Sequence, residues 1–282
     1  MAIMIDGRSV AADITADVRA RVDRLLGGGI VPRCTIIVAQ GDDAGLLYAR
    51  ATQRNGDKIG IGCDIVELAE DSPSAAAEST VRRASCDPQT HGILIQRPLP
   101  TRFDEPRLSA AIAPRKDVDG ANPLTCGLLM SGSPTFVPAT AAAVMELLRR
   151  PFLPPIRSAH AVVVGRSHVA GRPIAALLTA ADATVTLCHS FSRDIHALCR
   201  LADIVIVAVG RPGFLTSDMV KPGATVIDVG TNVENGRVRG DVDAAVSQVA
   251  SALTPVPGGV GPVTAAMLLR NVVEAAEGYD PK

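Results

Sequence analysis

The sequence predicts an α/β protein of two domains with mostly parallel sheets. Short apolar runs alternate with amphipathic segments along the whole chain, the order expected when strands and crossover helices follow one another. The chain has 282 residues, enough for two separate cores. One stretch, His160-Ala-Val-Val-Val164 followed by Gly165-Arg-Ser-His-Val-Ala-Gly171-Arg-Pro173, reads as strand, tight turn and helix.

In chain order, residues 9–26 place Val10, Ile14, Val18, Val22 and Leu25 at helical spacing. Cys34 to Gln40 is a buried-strand run, stopped by Gly41-Asp-Asp. A helix over about 44–58, a strand over 63–68 and a helix opened by Asp71-Ser-Pro-Ser and ending near Arg83 follow. His91 to Gln96 is a third strand, stopped by Arg97-Pro-Leu-Pro100. A helix over 139–149 and the proline-rich stretch 151–155 lead into the valine run, with the domain change placed near residue 138. Beyond it come a helix over 174–180, a strand over 184–188 and a helix to Arg200. Strands over 203–209 and 224–229 and a last helix to about Ala276 complete the pattern.

Composition narrows the function classes. Hydrophobic residues make up 47% and charged residues 20%, an ordinary globular balance, and the formal net charge of −1 favours neither nucleic acid nor an anionic membrane. No apolar run is long enough for a membrane span, and the N-terminus lacks a signal-peptide pattern. Cys34, Cys63, Cys86, Cys126, Cys188 and Cys199 are scattered, so no metal site is expected and a cytoplasmic location fits. Aromatic residues are 2% of the chain, with two Tyr and no Trp, so a tyrosine here was not needed for bulk.

The turn after the valine run carries the first chemistry. Gly165 permits the turn, Gly171 allows close approach, and Pro173 suits the first helical turn, where backbone N–H groups hold a phosphate. Ser167 stands where the dinucleotide fingerprint has its second glycine. An NAD-preferring site carries an acid at the end of the next strand, but here that end reads Cys188-His189-Ser190. Arg166, Ser167 and Arg193 suit a 2′-phosphate, which favours NADP over NAD; each arginine also reads as plain surface charge. Gln96 ends a strand where open α/β sheets place ligands, and Lys116-Asp-Val-Asp-Gly120 puts two acids in a loop. Taken alone, both read better as loop-forming residues.

Seven motifs in order resemble the bifunctional methylenetetrahydrofolate dehydrogenase/cyclohydrolase family, the bacterial FolD proteins. They are Ile5-Asp-Gly7, Gly92-Ile-Leu-Ile-Gln-Arg-Pro-Leu-Pro100, Lys116-Asp-Val-Asp-Gly120, Val164-Gly-Arg-Ser-His-Val-Ala-Gly-Arg-Pro173, Ala202-Asp-Ile-Val-Ile-Val-Ala-Val-Gly210, Val226-Ile-Asp-Val-Gly230 and Thr254-Pro-Val-Pro-Gly-Gly-Val-Gly-Pro262. The resemblance implies a folate-binding catalytic domain (1–138 with 264–282), a Rossmann-type NAD(P) domain (139–263) and a cleft between them. It also implies a homodimer joined through the second domain. The implied reaction is hydride transfer from 5,10-methylenetetrahydrofolate to NADP, then hydrolysis of the methenyl product.

Residue by residue, the resemblance assigns Tyr48 to stacking on the folate, Gln96 to the reacting centre and Asp119 to the pterin. Gly258, Gly259 and Pro262 fall in the segment closing the substrate pocket. Gly165, Arg166, Ser167, Gly171, Arg172, Pro173, His189, Ser190, Arg193, Gly210 and Thr231 form the cofactor set. The chain departs from the family at its main catalytic residue: Tyr-x-x-x-Lys reads Tyr48-Ala-Arg-Ala-Thr52. Further departures are Asn55 for a small residue, Arg97 for leucine, Asn122 for histidine, and Pro138-Ala-Thr-Ala141 for Pro-Cys-Thr-Pro. Threonine has no charge and no pKa near neutrality, so the expected activity is a dehydrogenase with weak or absent cyclohydrolase. Two alternatives stand beside it: an oxidoreductase on another small C–N substrate (imine or aminal), and a silent folate- or nucleotide-binding relative.

Overall fold

The computed structural model describes residues 1–234 and 237–278. The chain opens with β1 (Ile3–Met4) and α1 (Gly7–Gly27), then β2 (Arg33–Ala39), α2 (Asp43–Asp57), β3 (Gly62–Leu68), α3 (Ser74–Cys86) and β4 (Gly92–Ile95). Helices α4 (Glu105–Ala110), α5 (Pro123–Met130) and α6 (Ala139–Leu148) follow. The rest runs β5 (His160–Val164), α7 (Gly171–Ala180), β6 (Thr184–Cys188), α8 (Ile195–Leu201), β7 (Ile204–Val207) and β8 (Thr225–Asp228). Last come β9 (Asn232–Glu234), β10 (Arg237–Arg239), β11 (Ala252–Leu253) and α9 (Val260–Ala276).

Two compact units result: Ile14–Ala139 with Leu268–Lys282, and Met1–Asp13 with Thr140–Met267. In the first, β2, β3 and β4 form a parallel sheet in the order β3-β2-β4. Ile37, Ile93, Ile95, Val81 and Leu108 fill a core against it. The second unit holds a six-stranded sheet, β1-β11-β8-β7-β5-β6, with parallel neighbours throughout. Val162, Val164, Val205, Val207 and Val226 are buried in its core, as strands covered on both faces require.

The first thirteen residues differ from the sequence expectation, which put them with the folate-binding half. β1 pairs with β11, Ile3 opposite Ala252 and Met4 opposite Leu253. Gly7 packs so close to the Gly258–Gly259 backbone that a Cβ there would lie 1.8 Å from the Gly259 carbonyl oxygen. Two residues of strand are too short to stand out in a sequence, so their partner was not legible.

Strand order places the ligand-binding edges. In the first sheet the chain leaves β2 for β3 on one side and returns to β4 on the other; in the second it leaves β5 for β6 and returns to β7. A parallel sheet opens a crevice at such a reversal, outside the carboxyl ends of the strands. The two crevices therefore lie at Ala39 with Ile95, and at Val164 with Val207.

Candidate functional site

At the first reversal, Gln96 continues β4, its N–H donating to the Ile37 carbonyl at 2.8 Å. Asp42 caps α2, accepting from Gly45 N–H at 2.9 Å, and starts that helix beside Gln96. A Cβ at Gly45 would lie 2.8 Å from the Gln96 side chain, so only glycine allows this approach. One turn later comes Tyr48, 37% exposed; burial of its hydroxyl and the nearby Asp119 charge push its pKa up to about 12 against the opposing pull of the Thr52 hydroxyl. Thr52 is 4% exposed and lies in line with Gly45, Ala49 and Gly56 on the buried face of α2. Asn55 is exposed. Lys58 is exposed too, beyond the helix end and roughly 9 Å along the axis from Thr52.

The two acids of the Lys116–Gly120 loop separate. Asp117 is fully buried and accepts from the N–H groups of Ala121 (2.9 Å) and Asn122 (2.8 Å), so it builds the loop. Lys116 donates to the Asp87 carbonyl. Gly120 turns at φ 65° against Pro138, and Asn271 on α9 donates to the carbonyls of Val118 (2.8 Å) and Val137 (3.0 Å). Asp119 is the acid left facing the site, and burial pushes its pKa up to about 7 against the pull of Arg97.

Arg97, one of the departures from the family pattern, is the cation of this group. Its guanidinium donates to Asp119 (3.2 Å), Glu105 (2.6 Å), Ser109 (3.3 Å) and the Ile95 carbonyl (3.3 Å). These bonds hold it at the end of β4. Asn122 accepts from Leu124 N–H at 2.7 Å to cap α5, and donates to the Ile112 carbonyl at 2.7 Å. Its amide is thereby spent on structure.

At the second reversal, Gly165 follows β5 with φ 123°, and a Cβ there would lie 2.2 Å from the Ala208 carbonyl oxygen. A Cβ at Gly171 would lie 1.9 Å from the Gly165 carbonyl oxygen, so both glycines are steric requirements of the turn. Ser167 accepts from Ala170 N–H at its hydroxyl (3.2 Å) and from Arg172 N–H at its carbonyl (3.1 Å). Arg166, Ser167, Arg172, Ser190 and Arg193 are exposed around the turn, while Pro173 is buried. His189 N–H donates to the Ser192 hydroxyl at 2.9 Å.

Gly258, Gly259 and Pro262 line a cavity of about 270 Å³ together with Thr231, Gly230, Asp228 and Arg8, all within the second unit. The residues expected to close over substrate thus share a cavity with Thr231, expected to bind cofactor.

Asp241 was missed by the sequence reading. Fully buried, it accepts from the N–H groups of Val209 (2.7 Å), Gly210 (2.9 Å) and Arg211 (2.8 Å), and from the Asn232 amide (2.9 Å). Its own N–H donates to Asp228, which also accepts from Gly230 N–H, both at 2.9 Å. Burial, with Asp241's charge beside it, leaves Asp228 pushed up to about 6 despite these donors. The carboxylate pair fixes the turns after β7 and β8. The signal was Gly240-Asp-Val-Asp243, which looks like any turn.

Residues 5–119 match the family described as tetrahydrofolate dehydrogenase/cyclohydrolase, catalytic domain, and residues 138–280 match its NAD(P)-binding domain. The chain belongs to the tetrahydrofolate dehydrogenase/cyclohydrolase family. It is 49% identical to the bifunctional protein FolD of Parafrankia sp. (strain EAN1pec) over 98% of this chain and 99% of that protein. Among solved structures, the Campylobacter jejuni FolD methylenetetrahydrofolate dehydrogenase/cyclohydrolase superposes with a TM-score of 0.95, at 36% identity and 99% coverage of both chains. The Trypanosoma brucei FolD, solved with NADP and an inhibitor, gives 0.92 at 37% identity and 98% coverage of both. Against that family, Thr52, Arg97 and Asn122 share one unit with Tyr48, Gln96 and Asp119. Arg97 bonds directly to Asp119, and the Thr52 hydroxyl acts on that of Tyr48.

Proposed function

We propose that this chain oxidises 5,10-methylenetetrahydrofolate with NADP and hydrolyses the methenyl product weakly or not at all. The observation that carries the reading is the grouping of Tyr48, Gln96 and Asp119 at the β2/β4 reversal; buried Thr52 lies one turn on from Tyr48, where the resemblance implies a lysine. Tyr48 offers a ring face to the pterin, Asp119 accepts from its N–H groups, and Gln96 positions the reacting carbon. Hydride transfer needs mainly this positioning. Water attack on the methenyl carbon needs a proton relay, which a threonine hydroxyl, with no charge and no basic atom, does not supply.

NADP supplies the hydride acceptor. Arg166, Ser167 and Arg193 fit its 2′-phosphate, and the strict glycines 165 and 171 fit a close approach of its pyrophosphate. A strand end without a carboxylate supports NADP over NAD. A homodimer through the nucleotide unit is part of the proposal, supported by the half-exposed Leu187 on edge strand β6 and exposed Leu201 and Val233. So is a cytoplasmic location; among the described residues no helix is long and apolar enough to cross a membrane.

The test mixes protein, 5,10-methylenetetrahydrofolate and NADP, then NAD, following reduced cofactor and methenylfolate together. Both signals should rise and the methenyl signal persist. Folate binding without reduction of either nucleotide overturns the proposal. A second reading, oxidation of another small C–N compound, is favoured by one contact: the bond from Arg97 occupies Asp119, the acid meant for the pterin.

That contact gives a pH prediction. Asp119 with a pKa near 7 must be ionised to accept from the pterin, so KM for folate should rise about tenfold per unit as pH falls below 7 and level off above it. Arg97→Leu removes a charge that lowers this pKa, so the break should move to higher pH. A pH-independent KM in both proteins would show that Asp119 does not meet the substrate as an anion.

A further inference from the structure

Phe191 is one of five phenylalanines in the chain, and 81% of its surface is exposed, more than any other phenylalanine's. It stands three residues past the end of β6, on the turn the sequence reading credited only with His189, Ser190 and Arg193. The Arg166 guanidinium lies over its ring, 5.8 Å from the centroid. His189 meets the ring edge-on at 6.3 Å, and Phe191 N–H donates to His189 Nδ1 at 3.2 Å. The ring is thus held from behind by its own turn and presents a face to a cation on the neighbouring turn. Asp194, the nearest acid in sequence, is occupied at the start of α8, where it accepts from Ala197 N–H at 3.0 Å.

We infer that Phe191 is a specificity-determining residue for the nucleotide, a positioning residue that parks the Arg166 guanidinium where a 2′-phosphate is received. An exposed arginine samples many rotamers, and each must be given up when an anion is clamped. A ring under the guanidinium removes part of that cost in advance without satisfying any of its five N–H donors, since the attraction uses the ring face. An acid in the same place would hold the arginine equally well but consume the donors and repel the phosphate. An aromatic residue is therefore the partner that orders the cation and leaves it free to bind. The inference rests on the NADP reading and adds a residue and a physical role to it.

The experiment measures Kd for NADPH and NADH by fluorescence titration in the wild type, Phe191→Ala, Arg166→Ala and the double variant. Phe191→Ala should weaken NADPH about two- to fivefold, the size of one exposed cation–π contact, and leave NADH unchanged. Added to Arg166→Ala, it should cost nothing more, because the ring acts through the arginine. Phe191→Tyr should restore wild-type affinity. Equal weakening of both nucleotides would make the ring an adenine platform and overturn the inference, as would a full effect in the Arg166→Ala background. A wild type that binds NADPH no better than NADH would overturn the NADP reading itself, and the inference with it.

Discussion

Thr52→Lys is expected to speed hydrolysis of the methenyl product by about 10²-fold or more, the usual reach of general acid–base help. Position 52 is on the buried side of α2, one turn past Tyr48. A lysine there would be partly desolvated, which lowers an amine pKa toward neutrality and makes it a usable base. The measurement is the decay of methenylfolate absorbance after a dehydrogenase burst. Thr52→Met is the control, similar in length and without the amine; it should leave the decay slow. A folded Thr52→Lys protein with normal hydride transfer and unchanged methenyl decay would sink the account of the missing hydrolase step. Arg97 sharpens the test, because its bond to Asp119 puts one cation in the site before the lysine is added. Thr52→Lys combined with Arg97→Leu should therefore be the slower hydrolase of the two, since loss of the neighbouring cation raises the lysine pKa.

Asp241→Ala is expected to cost at least about 3 kcal/mol of stability in the nucleotide unit. Four donors converge on this carboxylate, and each buried donor left unpaired costs about 1–3 kcal/mol. Relief of repulsion on Asp228 returns part of this, since Asp241's charge is one cause of that carboxyl's raised pKa. The melting temperature should fall by roughly 6–12 °C, at 2–4 °C per kcal/mol for a unit of this size. Affinity for NADPH should drop with it, because the Gly210 and Gly230 turns lose their common anchor. Asp241→Asn keeps the shape but turns an NH2 toward two backbone donors, so it should rescue little. An unchanged melting curve with either variant would refute the anchoring role.

The periodic parts of the chain were legible because burial imposes them. The apolar runs at the centres of β5, β7 and β8 are covered on both faces, and the strands fall within two residues of their expected bounds. Helix α2 was readable for the same reason, and with it the shared neighbourhood of Tyr48 and Thr52. What escaped was set by partners distant in sequence. Strand β1 is defined only by β11, some 250 residues later. Arg97 looked like one substitution among several until the fold set it between Glu105 and Asp119. By residue type alone Asp117 and Asp119 were indistinguishable, only the resemblance singling out Asp119, and the backbone turn decides that Asp117 is spent on the loop. Asp241 and Phe191 carried no motif at all. Their meaning lies in which turns the sheet order brings together.

Asn271 sets an order of events during synthesis. The Val118 and Val137 carbonyls it satisfies are made 153 and 134 residues before it. At about 5–20 residues per second, the nascent chain waits roughly 7–30 s with those carbonyls lacking their native donor. The Lys116–Gly120 loop therefore takes its final form only when almost the whole polypeptide has left the ribosome. A chain stopped before α9 keeps every residue of the Tyr48–Gln96–Asp119 group and still lacks the clasp on their loop. Folate should act as a ligand that stabilises finished chains and ignores unfinished ones.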